Sequence, residues 1–340
     1  MKYAVGYQFS DSDEEPLIEV LKDFKKDIEE VYFAWLDMPS GRSPAISLGG
    51  TVNWDSQEQL ERELVLIRDM GIKLNLLFNA NCYGKESLSR YLANKVCSIV
   101  AYLQNKIGLD IVTTTSLMIA ETVKRNFRDM EVRASVNMRV GTVKGLEYLS
   151  DLFDSFYMQR EYNRDLQRIA ELKQWCDSHG KKIYMLANSG CQNFCSGQTF
   201  HDNLVAHAVD IDNTVNVQSH NPVLCQRYYA NPEHWVSFLQ NSWVRPEDVN
   251  YYRDIFSTLK LATRTHANPR KVVQAYSEQT FSGNLLDLLE PGYGPAFFPY
   301  LIDNTKFPSD WFKQTTECDK KCHKCNYCAS ILKKVLIKGC

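Results

Sequence analysis

Four cysteines, Cys318, Cys322, Cys325 and Cys328, lie close together near the end of this 340-residue chain. Their intervals read C-x3-C-x2-C-x2-C, the bacterial ferredoxin interval set in reverse order, and thiolates so spaced can hold an iron–sulfur cluster. Zinc is the alternative, although zinc ribbons use their C-x2-C pairs further apart. A second group lies upstream. Cys191 and Cys195 form a C-x3-C pair in NSGCQNFCSG, and Cys225 follows in SHNPVLCQRYY. Close cysteine pairs of this kind point to metal in a reducing compartment. Cys82, in NLLFNANCYG, either completes the upstream group or only lines its pocket.

The chain has 11 cysteines, an odd number, so complete pairing within one chain is excluded. Cys97 and Cys176 fall on helical apolar faces and read as core, and Cys340 reads as a frayed end. The first residues show no apolar signal-peptide core and no run is long enough to span a membrane, so a cytoplasmic protein is expected. Net charge is −2, with 24% charged and 44% hydrophobic residues, so the chain as a whole is not marked for nucleic acid or membrane surfaces.

Hydrolytic signatures are missing. There is no G-x-S-x-G, no H-E-x-x-H and no P-loop. A thiol nucleophile with a histidine partner, such as Cys191 with His201, stays open.

The elements that must position these groups alternate along the chain. Apolar runs at Tyr3–Tyr7, Val31–Leu36, Lys73–Phe78, Asp110–Thr114, Val132–Val136, Ser155–Met158, Lys182–Leu186 and Thr258–Ala262 read as strands. Helical patterns at Gln57–Met70, Glu86–Gln104, Leu117–Phe127, Asn163–Ser178 and Pro269–Ser277 separate several of them. Ser56 and Gln59 are placed for a capping box. Eight strands alternating with helices predict an α/β fold, a (β/α)8 TIM-like barrel, with an open doubly wound sheet as the alternative. Residues 1–282 form the expected barrel, with a long insertion (191–257) after strand seven, and residues 283–340 a cysteine-rich extension.

In such a barrel the loops after the strands build the site. Strand five then delivers Arg139, strand six Arg160, Glu161, Asn163 and Arg164, strand seven Asn188, Ser189, Cys191, Cys195 and His201, and strand eight Arg264 and His266. Arg160, Arg164, His201 and Arg264 are the candidate catalytic residues. Guanidinium groups at one mouth favour a small anionic substrate, because their fork matches a carboxylate. His201 is a candidate proton carrier near neutral pH.

At this point the residues resemble a family. NSGCQNFC followed by HDN (188–203) is similar to the Asn-x-x-Cys-x3-Cys…His segment of peptidase family U-32, the collagenase-like peptidases. SWVRPEDVNYYRDIFSTLKLATRTH (242–266), QREYNRDL and SGNLLDLLEP are similar too. The resemblance implies a (β/α) barrel carrying a 4Fe–4S cluster on cysteines. It also implies either peptide cleavage, as the family name says, or oxygen-independent hydroxylation of ubiquinone precursors or RNA bases, with prephenate implicated as an oxygen donor. A dicarboxylate of that kind suits an arginine-rich mouth. Here the clustered tail cysteines exceed the family's usual single set, so one or two clusters are expected.

Cys191, Cys195, Cys225 and the tail four make seven ligands, whereas two all-cysteine clusters need eight. Cys82 is the eighth, or one iron is open to substrate, or some thiols are idle. A non-catalytic metal-binding subunit is the third functional reading. A protein partner or electron donor fits all of these. Nucleic acid stays open through Lys320, Lys321, Lys324, Lys333 and Lys334, which otherwise read as a solvated face.

Overall fold

The computed structural model describes residues 1–10, 14–41, 53–212, 214–215 and 223–339. Cys340 lies outside them. The barrel closes as the strand pattern requires. β1 (Lys2–Gly6), β2 (Ile28–Ala34), β3 (Lys73–Phe78), β4 (Ile111–Thr114), β5 (Glu131–Ala134), β6 (Ser155–Tyr157), β7 (Lys182–Leu186) and β8 (Thr258–Lys260) pair in sequence order, all parallel, and β8 returns to β1. Parallel strands need crossovers. These are supplied by α1 (Leu17–Asp23), α2 (Trp54–Asp69), α3 (Arg90–Lys106), α4 (Leu117–Asn126), α5 (Val143–Leu149) and α6 (Leu166–Ser178). The insertion after β7 carries α7 (Gln198–Ala206), α8 (Ala208–Asp212), α9 (Leu224–Tyr229) and α10 (Val236–Leu239), and α11 (Pro269–Glu278) follows β8.

Local chemistry sets the helix starts. α2 begins earlier than the expected Ser56 cap, because the Asn53 side chain accepts from Ser56 N at 3.1 Å, and Gln59 reaches Glu63 instead of closing a box. α3 begins later than expected. Ser89 caps it by accepting from Leu92 N at 3.0 Å, and Leu88, inside the expected range Glu86–Gln104, lies outside the helix and is exposed. α4 starts at the expected Leu117, with the Ser116 side chain accepting from Ile119 N at 3.3 Å. α1 and α5 are too short to have shown a clear period in the sequence.

The barrel interior is polar at one level. Glu30 receives Arg133 Nη1 at 2.8 Å and Asn75 Nδ2 at 2.6 Å, and Thr113 donates to Asn75 at 2.8 Å. Each of these groups is buried and each has a partner, as low dielectric demands.

The extension folds back on the barrel. It adds α12 (Gly294–Phe297), β9 (Tyr300–Ile302), α13 (Trp311–Thr316), α14 (Tyr327–Val335) and β10 (Leu336–Lys338), with β10 antiparallel to β9. Rings weld it to the insertion: Trp235 stacks on Phe297 at 4.6 Å and Trp243 on Trp311 at 5.9 Å. Among the described residues no helix is long and apolar enough to cross a membrane.

Candidate functional site at the barrel mouth

A cavity of about 700 Å³ opens among the loops that follow the strands. Its walls include Cys191, Cys195, Cys225, Arg160, His201 and Arg264, so six of the expected site residues are brought to one place.

The loop after β7 is held by its backbone. Asn188 is fully buried; its amide donates to Ala262 O at 3.0 Å and Leu288 O at 2.9 Å, and its oxygen accepts from Ala262 N at 2.6 Å. Gly190 N donates to Glu290 O at 3.1 Å. These bonds tie β7, β8 and the extension together just before Cys191. Beyond it, Asn193 N donates to Asn241 Oδ1 at 3.1 Å, and Phe194 takes a left-handed φ of 51°. Gly197 then lets the loop pass Leu224, whose Cδ1 would stand 2.5 Å from an added Cβ, and so brings Cys195 towards the helix that carries Cys225.

Cys225 senses the other two thiols. Burial pushes the Cys225 thiol up, and Cys191 and Cys195 push it further, against a hydrogen bond from Tyr293. Tyr293 is itself buried and held far above its ordinary value, first by burial and then by Cys191 and Cys225. Among the described residues, no three histidine, cysteine, aspartate or glutamate side chains gather around a point that would hold a single metal ion.

The charged wall is uneven. Arg264 Nη1 donates to Ser40 Oγ at 2.8 Å. Arg160 is buried, and its Nε has no hydrogen-bond partner; Glu161 Oε1 at 3.9 Å is too distant to serve. His266 also lines the cavity, and burial lowers its pKa, which keeps its ring neutral near pH 7.

Three groups of expected site residues stand elsewhere. Arg164 does not line the cavity. Its guanidinium lies 4.3 Å from the Trp243 ring and 5.2 Å from the Trp311 ring, and donates to Trp243 O at 2.7 Å and Leu239 O at 3.0 Å. It binds the insertion and the extension to the barrel. Cys82 does not line the cavity either. Its sulfur accepts from Gly84 N at 3.3 Å, and its thiol is hydrogen-bonded to His207, which lowers its pKa; His207 Nδ1 is 3.2 Å from Asp210. The tail cysteines form their own group. Cys318, Cys322 and Cys325 are exposed, and Cys328 is raised to about 11, by burial first, against the pull of Arg164, with the other three thiols raising it further. Of the remaining polar groups, Arg139 faces Asp202 at 3.7 Å, and Asn163 Nδ2 donates to Leu186 O at 2.7 Å.

Two wall residues went unread in the sequence. Lys260 had a signal: it is a charged residue inside the apolar run TLKLA, at an inward position of β8. Glu290, in the LEPG turn, had none.

No protein-family model matches the chain. It is similar to the uncharacterized protease MJ1657 of Methanocaldococcus jannaschii, with 25% identity over 331 residues, covering 94% of this chain and 92% of that one. Among solved structures it is similar in fold to the U32 peptidase Mk0906, with a TM-score of 0.53 and 15% identity over 77% of this chain and 93% of that one. The resemblance to the U-32 peptidases read from the sequence holds on both comparisons.

Proposed function

We propose that this U-32-like chain is an iron–sulfur protein of the oxygen-independent hydroxylation type, with a 4Fe–4S cluster held by Cys191, Cys195 and Cys225 beside a cavity that takes a small anionic substrate. The observation that carries this reading is that thiols from two separate segments line the same cavity as Arg160 and Arg264. The donor set fits. The thiolates of a cluster bind different irons, so they stand apart, unlike the ligands of one zinc ion. Cys225, whose thiol Cys191 and Cys195 push up across the cavity, stands close enough to the other two to share one cluster with them.

With Cys82 engaged by His207, the mouth group offers three thiolates among the described residues. A cluster bound there would supply an iron with an open coordination position. The chain's own residues do the rest. Arg160 and Arg264 hold a carboxylate, and the loops of the insertion line one side of the cavity. The tail group, fully supplied with four cysteines, fits a second cluster for electron transfer.

Peptide cleavage is the second reading. The name of the Methanocaldococcus jannaschii relative, a protease, favours it, and so does the Cys82–His207–Asp210 chain of hydrogen bonds, which lowers the pKa of a thiol.

Iron and sulfide per chain, measured after anaerobic purification together with electron paramagnetic resonance of the reduced protein, test the first reading. About eight irons are expected for two clusters and about four for one. Cys225→Ser removes the mouth share and Cys325→Ser the tail share. Zinc without iron sinks the proposal. Cleavage of a peptide library that survives iron removal and dies in Cys82→Ala establishes the peptidase reading in its place.

A further inference from the structure

Lys260 ends β8 with its side chain inside the barrel, and it is 8% exposed at the wall of the mouth cavity. Its ammonium is 3.8 Å from the centroid of the Tyr32 ring and 4.8 Å from that of Tyr157. Among the described residues no carboxylate or carbonyl accepts a hydrogen bond from it. A lysine that folding desolvates, places between rings and leaves without an ion pair is an unusual use of that residue. The charged groups facing it are Glu30, Arg264, Arg133 and Glu290. Burial dominates over them and lowers the amine to about 7, so much of it is uncharged at neutral pH. Arg160 lines the same cavity, its Nε buried and without a hydrogen-bond partner, and its guanidinium fork matches a carboxylate.

We propose that Lys260 is a carbonyl-reactive amine, and that the cavity takes an aldehyde or ketone bearing a carboxylate, the carboxylate held at Arg160 and the carbonyl carbon meeting Lys260 Nζ. The step is an imine condensation. The amine lone pair forms the C–N bond, the C–O bond breaks, and the carbonyl oxygen leaves as water with the two hydrogens of the nitrogen. No oxidant or reductant takes part. The Tyr32 and Tyr157 faces stabilise the protonated imine as they stabilise the ammonium. The inference rests on the cavity wall and not on any cluster, so iron content measured on the same sample separates its failure from that of the iron–sulfur reading.

The test uses the protein as purified, glyoxylate as probe and cyanoborohydride to reduce the imine, with the adduct mapped by peptide mass spectrometry. At pH 7 Lys260 is the one lysine expected to carry an adduct, at glyoxylate concentrations that leave surface lysines unlabelled, because their amines titrate near ~10.4; an adduct on the α-amine is mapped separately. Lys260→Met keeps the apolar stem, has no amine and abolishes the adduct. Arg160→Met raises the half-labelling concentration of glyoxylate about tenfold, the loss of one charge-assisted contact, and leaves labelling by propionaldehyde unchanged, since that probe has no carboxylate. Labelling of the unaltered protein that spreads over surface lysines with no preference for Lys260 overturns the proposal. An equal effect of Arg160→Met on both probes overturns the carboxylate assignment.

Discussion

Gly190 and Pro291 meet so closely that a Cβ added at Gly190 would stand 2.1 Å from the Pro291 carbonyl oxygen. The contact is backbone against backbone, so no side-chain rotation can relieve it. Gly190→Ala must push the loop after β7 away from the extension, and Cys191 is the next residue. Overpacking of this kind costs about 1–3 kcal/mol. The expected result in urea denaturation is a lower midpoint with an unchanged slope, and in metal analysis a loss of iron from the mouth group with the tail share retained. An alanine variant with full iron and full stability would show that the loop is not fixed by this contact.

Arg164 gives a prediction of the opposite kind, because its partners are structural. Arg164→Lys keeps a positive charge but loses the fork that reaches two carbonyls and the flat face that lies over Trp243. Leaving those carbonyls short costs about 2 kcal/mol. The extension should then be clipped faster in limited proteolysis, and the unfolding midpoint should fall. Binding of glyoxylate at the cavity should not change below the melting range. A weaker affinity in the folded variant would return Arg164 to the ligand site.

These two residues also show what the sequence could disclose. The strands were legible because each is a short apolar run, and the barrel follows from their number and alternation. The group at Cys191, Cys195, Arg160 and Arg264 was legible because each residue lies in a loop that leaves the end of a strand, and chain topology brings such loops to one mouth. Arg164 also follows a strand, yet Trp243 and Trp311, far along the chain, claim it. Cys82 is drawn aside by His207 in the same way. Tertiary partners of this sort leave no local pattern. Lys260 is the converse, since a lone lysine in an apolar strand was visible without its cavity.

Acid stability supplies the last prediction. Glu131 on β5 is held at about 2: burial raises its carboxyl, but Arg133, Ser155 and Lys182 lower it by more. Its partners are close, with Arg133 Nη2 at 2.7 Å and Ser155 Oγ at 2.6 Å. A depressed folded value means stability that is fully present above the ordinary value near 4.5 and is lost as pH falls through about 2. The shift corresponds to about 3 kcal/mol between those limits. Glu131→Gln keeps a hydrogen-bonding partner for Ser155 and removes the titration. The variant should therefore be less stable than the parent at pH 7, and the gap should close as pH drops from 4.5 towards 2. Urea unfolding at a series of pH values reads this directly, and curves that stay parallel across the window would place the acid sensitivity of the barrel on another carboxylate.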